Sequence, residues 1–118
     1  MSKGYLILAQ NNKIDNYVSM AAACAFSIKA TQSKVKNVTL ITDIIDAVPH
    51  HCKDAFDNIL PIQWFDDAYE SEWKIENRWK LYHMTPYDET VILDADMLFL
   101  SDVSHWWDYM GKNFELLI

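Results

Sequence analysis

The sequence predicts an α/β domain: a mostly parallel, doubly wound sheet with helices on both faces. Three observations carry this. Short apolar runs alternate with longer segments whose apolar residues recur every three or four positions, the signature of strands followed by crossover helices. Two of the short runs end in polar clusters, Gln10-Asn11-Asn12 and Asp94-Ala95-Asp96, as strands do where a parallel sheet meets its ligand. The composition also suits one packed domain over residues 1–118, with 51% hydrophobic residues and only two glycines and three prolines. A chain of this length buries roughly two-thirds of its unfolded surface, enough for a core without metal or disulfide staples.

Each element has its own reason. Tyr5 to Ala9 is an apolar run short enough for a strand buried on both faces. From Ile14, apolar residues recur at Val18, Ala21, Ala22, Ala25 and Ile28, one face of a helix reaching about residue 30. Val38 to Thr42 is the second strand. Pro49 suits the first turn of a helix carrying Cys52, Ala55, Phe56 and Ile59. Ile59 to Ile62 is a third strand, and Pro61 puts it at a sheet edge. Trp64 to Trp73, aromatic and acidic, reads as a surface loop and the place to look for a lid. Ile75, Trp79 and Tyr82 mark a third helix closed by Thr85-Pro86. Thr90 to Leu93 is the fourth strand, a short helix runs from about Asp102 to Met110, and Phe114 to Ile118 reads as a last strand. An unpaired apolar strand there favours self-association through the C-terminal strand.

Charge and cysteine content exclude several classes. Ten basic against seventeen acidic side chains give a net charge of −7, the wrong field for a nucleic-acid backbone binder. No apolar run approaches the ~18 residues of a membrane span. The amino terminus meets Gln10 and two asparagines too soon for a signal peptide. Cys24 and Cys52 are too few and too far apart for a disulfide framework or zinc site, and reduced thiols fit a cytoplasmic protein. No Gly-rich phosphate loop, Gly-x-Ser-x-Gly elbow or His-Glu-x-x-His pair occurs.

The chemistry concentrates in two places. For a strand order of three-two-one-four, the ligand crevice lies between the first and fourth strands, where both polar clusters sit. Asp94 and Asp96 interrupt the apolar stretch from Val91 to Leu100. In an extended segment, residues two apart face the same side, so both carboxylates reach one ligand. Two hard oxygen donors suit magnesium or manganese that also holds substrate phosphates. A turn whose aspartates cap backbone amides is the competing reading. Asn11 and Asn12 offer donor and acceptor to a base or ribose, or cap the next helix. Tyr17 either stacks on a base or packs in the core. Of the two cations at Arg78 and Lys80, Lys80 is the better candidate for a diphosphate, against solvated pairing with Glu72 or Glu76. His50 and His51 are adjacent and diverge by about 100° on a helix, which makes them poor partners in a metal site. Trp106 and Trp107 read as packing residues, as does Cys24.

The stretch Thr85-Pro86-Tyr87-Asp88-Glu89-Thr90-Val91-Ile92-Leu93-Asp94-Ala95-Asp96-Met97-Leu98-Phe99-Leu100 resembles the signature of GT-A fold glycosyltransferases. The resemblance is nearest to the glycogenin-like and lipopolysaccharide-galactosyltransferase-like family, glycosyltransferase family 8. There a Pro-Tyr-Asp turn leads into the strand that delivers the Asp-x-Asp motif. Ala9-Gln10-Asn11-Asn12 with Tyr17 resembles the family's uridine-binding segment, Ile41-Thr42-Asp43 fits its second strand, and the helix with Arg78 and Lys80 resembles its basic helix. The resemblance implies a Rossmann-like GT-A nucleotide-sugar-binding domain. Its implied ligand is a nucleotide-sugar, a UDP-sugar above all, held through Mn²⁺ or Mg²⁺ on Asp94 and Asp96, with Ala95 between them. The implied reaction is transfer of a hexose to an acceptor that the sequence does not name, with retention of configuration. The family's downstream half, with acceptor-binding elements and a metal-ligating histidine, has no counterpart in these 118 residues, and His105 is too close to the acidic pair to replace it. Two other readings stay open: a non-catalytic or partner-dependent nucleotide-binding half, and a metal-dependent nucleotidyltransferase.

Overall fold

A computed structural model of the chain describes residues 2–11, 14–62 and 84–110. Four strands, β1 (Lys3–Leu8), β2 (Val38–Thr42), β3 (Asn58–Pro61) and β4 (Glu89–Leu93), form one sheet in the order β3-β2-β1-β4. Every pairing is parallel. The order is the one expected from sequence, with β1 in the interior and β4 beside it. Three α-helices are described, α1 (Tyr17–Thr31), α2 (His50–Lys53) and α3 (Trp106–Met110), with a short 3-10 turn at Ile45–Ala47.

The period-two alternation of strand side chains divides the core. Tyr5, Ile7 and Ala9 of β1 and its tip, with Val38 and Leu40 of β2 and Val91 and Leu93 of β4, face α1 and α2. From α1 they meet Val18, Ala21, Ala22, Cys24, Ala25 and Ile28. Alanines and a cysteine let the helix lie close on the sheet, so large strand side chains fill the space between. Leu6, Ile41 and Ile92 point the other way and cluster with Ile62 and Met84. Described helices pack on the first face; the helix expected around Ile75, Trp79 and Tyr82 lies outside the described residues, as do the Trp64–Trp73 loop and the Phe114–Ile118 strand.

Three helix boundaries differ from the sequence expectation, each for a local reason. Helix α1 starts at Tyr17, not Ile14, because Asn16 caps it by accepting the Ser19 N–H at 3.1 Å. Ile14 therefore falls in the preceding loop and is exposed. Helix α2 spans only His50–Lys53; Ala55 and Phe56 continue in turns, and Ile59 belongs to β3. The short C-terminal helix begins at Trp106 rather than near Asp102, which caps a turn instead, accepting from the Ser104 N–H at 3.0 Å.

Two devices fix β4 against β1. Asp88 accepts the Ser2 N–H at 2.9 Å, the Asp88 N–H reaches Ser2 Oγ at 2.9 Å, and the Glu89 N–H reaches the Ser2 carbonyl at 2.9 Å. The Tyr87 ring then crosses over Gly4, where a Cβ would meet ring carbons at 2.3 Å, and its hydroxyl shares a 2.7 Å hydrogen bond with Thr39 of β2. The Thr85-Pro86-Tyr87-Asp88 turn is thus a fastener across three strands. It sets the register Gly4↔Thr90 through Ile7↔Leu93, and with it the position of the acidic pair.

After β4 the chain runs back along α1. The Phe99 N–H donates to Ser27 Oγ at 2.9 Å. At the end of α1, buried Gln32 donates to the Ser101 carbonyl at 2.8 Å and accepts the Val103 N–H at 2.9 Å. Tyr5, Phe99, Trp106 and Trp107 meet edge to face, with centroids 5.3 to 5.8 Å apart. The Trp107 indole N–H donates to the buried Tyr5 hydroxyl at 3.3 Å. Both tryptophans are packing residues, as expected from sequence.

Candidate functional site

All described strands are parallel, so their carboxyl ends share one edge of the sheet, the side on which open α/β sheets bind ligands. Ile7 pairs with Leu93 and Leu8 with Ile41, so the tips of β4 and β2 flank the tip of β1. Around β1 lie Ala9 and Gln10, both buried, and half-buried Asn11. The Ala9 N–H continues the ladder to the Ile41 carbonyl at 3.0 Å, which holds this tip against β2.

Asp94, Ala95 and Asp96 follow β4 directly. The chain turns here, and the Met97 N–H donates to the Asp94 carbonyl at 3.3 Å. This corrects the extended geometry expected from sequence: strand pairing ends at Leu93, so the backbone folds over rather than running on. The burial pattern nevertheless alternates. Ala95 is buried among the core residues while Asp94 and Asp96 on either side are exposed.

Asp96 lies close enough to α1 for its charge to be felt there. Burial, then the charge of Asp15 and then that of Asp96, push the Tyr17 hydroxyl above its ordinary value. Burial, with Asp96 behind it, raises the Cys24 thiol to about 12. Ala95 of the turn and Val18 of α1 share one core cluster, with Tyr17 and Met97 packed against it. Tyr17 packs against the core and directs its hydroxyl to Asp15 Oδ2 at 3.4 Å. The packing reading made for Tyr17 holds, since its body lies against the core.

Asn11 is a cap. Its Oδ1 accepts the Val18 N–H at 2.9 Å, while Asn16 takes the Ser19 N–H through its side chain and the Met20 N–H, at 3.4 Å, through its carbonyl. Three successive amides at the start of α1 are satisfied by two asparagines. Asp15 and Asn16 were passed over in the sequence. An asparagine directly before an apolar helical run is the available signal, and it moves the helix start to Tyr17.

Asn12 and Lys80, and Arg78 with it, lie outside the described residues. His50, His51 and His105 are exposed. Among the described residues, no three His, Cys, Asp or Glu side chains converge as a ready metal cage. Asp94 and Asp96 supply two hard oxygen donors on one exposed turn. That donor set fits a divalent cation that keeps several waters and shares its shell with a phosphate.

No family model matches the sequence, and no curated protein matches it. No helix among the described residues is long and apolar enough to cross a membrane.

Proposed function

We propose that this chain is the nucleotide-sugar-binding part of a metal-dependent glycosyltransferase that uses a UDP-sugar as hexose donor. The observation that carries the reading is the turn at Asp94–Asp96, which follows β4 where β4 pairs with β1, with Ala95 in the core cluster against which Tyr17 of α1 packs. The Asp-x-Asp resemblance supports it, because the pair occurs where an open parallel sheet takes its ligand.

In this reading Asp94 and Asp96 hold Mn²⁺ or Mg²⁺, which supplies charge neutralisation for a departing diphosphate. Ala95 anchors the turn by burying its methyl group, so the two carboxylates on either side are held at a fixed height over the sheet. Tyr17 borders the nucleoside, and Ala9 and Gln10 form the floor beneath it. The Val18, Ser19 and Met20 amides are already engaged, so the start of α1 does not cradle the phosphates. Phosphate recognition falls to the metal and to a cation, for which Lys80 is the candidate. The domain supplies donor binding and leaving-group stabilisation, and the acceptor remains to be identified.

Calorimetric titration with UDP and UDP-glucose, with and without Mn²⁺, tests the proposal. Binding that requires the metal, together with slow release of hexose from UDP-glucose, is the expected result. Metal-dependent binding of CTP or ATP in preference to UDP would instead favour nucleotidyl transfer.

A further inference from the structure

The outward side of α1 is apolar where a surface helix normally turns polar residues to water. Met20, Ala23, Phe26 and Ala30 recur along it at helical spacing and all are exposed, Met20 by 36% and Phe26 by 47%. No charged side chain occurs from residue 16 to residue 28, in a chain whose net charge is −7. Lys29, the one cation of the helix, is tied to Asp57 and to the Lys36 carbonyl. The segment after the acidic turn widens the patch. Phe99 is buried and its N–H is bonded to Ser27 Oγ, so the flanking Leu98 and Leu100 stand outward beside α1, 61% and 89% exposed. Contiguous apolar surface of this extent marks an interaction site.

We propose that two copies of the chain pair through this face, with their α1 helices nearly antiparallel about a two-fold axis. Such an interface must be complementary to itself. An axis passing between Ala23 and Ser27 meets that condition, because small residues face one another at the centre and let the helices approach closely. Met20 of each copy then lies over Ala30 of the other, large against small, and the two Phe26 rings meet beside the axis. Charge complements the arrangement at its ends. Asp15, just before α1, comes toward exposed Lys34 just beyond the end of α1 in the other copy, and the helix dipoles run in opposite senses. These attractions offset the mutual repulsion of two acidic chains. Met20, Phe26, Leu98 and Leu100 each leave on the order of 100 Å² open, so the pair covers about 800 Å² of large apolar side chain. With a polar rim this reaches the low end of specific interfaces, about 1,200 Å², the size of a weak dimer.

Sedimentation equilibrium of the whole chain tests the pairing. At about 100 µM the wild type should show twice the chain mass of 13.8 kDa, falling toward that mass on dilution below about 1 µM. Phe26→Glu sets two carboxylates beside the axis, and Leu100→Glu puts charge on the flank. Each should weaken the dimer about tenfold or more, with circular dichroism and thermal melting showing that the fold is kept. Phe26→Lys should do the same alone. An equal mixture of Phe26→Glu and Phe26→Lys should recover the dimer, because the axis sets residue 26 against its own copy. A wild type that stays monomeric at the highest concentration overturns the proposal, and its flotation with neutral phosphatidylcholine vesicles would give the face to a lipid surface instead. A dimer that Phe26→Glu and Leu100→Glu both leave intact overturns it too, since the copies then meet elsewhere. A mixture of the two Phe26 variants that stays monomeric overturns the two-fold arrangement.

Discussion

Asp96 follows the carboxyl end of β4 and Asn11 that of β1, and they should answer differently to substitution. Asp96 is exposed and bonds no core residue through its position, so Asp96→Ala should leave stability within about 0.5 kcal/mol of wild type. Its metal-dependent UDP binding should fall at least tenfold, read by calorimetry. Asn11 is a helix cap, and Asn11→Ala should cost about 1 kcal/mol in urea unfolding even without nucleotide. Asp102 gives a pH signature. Hydrogen bonds from Ser104 and Ser33 draw its carboxyl from the ordinary 3.8 down to about 2. The unfolded chain then binds the proton more tightly, so stability rises with pH. The contribution is complete above the unfolded value near 3.8 and is lost as pH falls toward 2. Asp102→Asn should flatten the stability profile in that window, measured by urea midpoints at successive pH values.

The Tyr87 fastener makes a sharper test among the elements. Gly4→Ala drives a methyl group into the Tyr87 ring, so the ring must leave and the Thr39 bond with it. The expected loss is about 1–3 kcal/mol, as for other overpacked sites. Tyr87→Ala opens the same space, so Gly4→Ala should cost far less in that background. A double-mutant cycle measured by urea unfolding reads this coupling, and additive losses would show that the ring does not lie on Gly4. The fastener also explains how the sequence could be read. Pro86-Tyr87-Asp88 was legible as a turn before a strand, but not as a clasp on Ser2, Gly4 and Thr39, because those partners are more than forty positions away in sequence. The sequence placed β2 at its observed limits, Val38–Thr42, because a strand buried on both faces is a short run of β-branched and aliphatic residues bounded by polar ones. It placed the start of α1 too early, because Ile14 continues the spacing by accident while Asn16 supplies the cap. The outer side of α1 is itself apolar at Met20 and Phe26, so its burial stripe is not defined by hydrophobicity alone.

Across the whole molecule, the strand order was the most legible property and the acidic turn the least. Alternating strands and helices admit few arrangements, and in the observed order β4 lies beside β1. Whether two aspartates after a strand stand in line or on a turn depends on where pairing with β1 ends, and that is a tertiary matter. On the observed turn both carboxylates are exposed just beyond the carboxyl end of β4. The measurement that bears most directly on their role is a calorimetric titration of the wild-type chain with UDP in Mn²⁺ and again in EDTA. Saturable binding in Mn²⁺ that vanishes in EDTA is the expected result. Equal binding in both, or none in either, would contradict a metal held by Asp94 and Asp96.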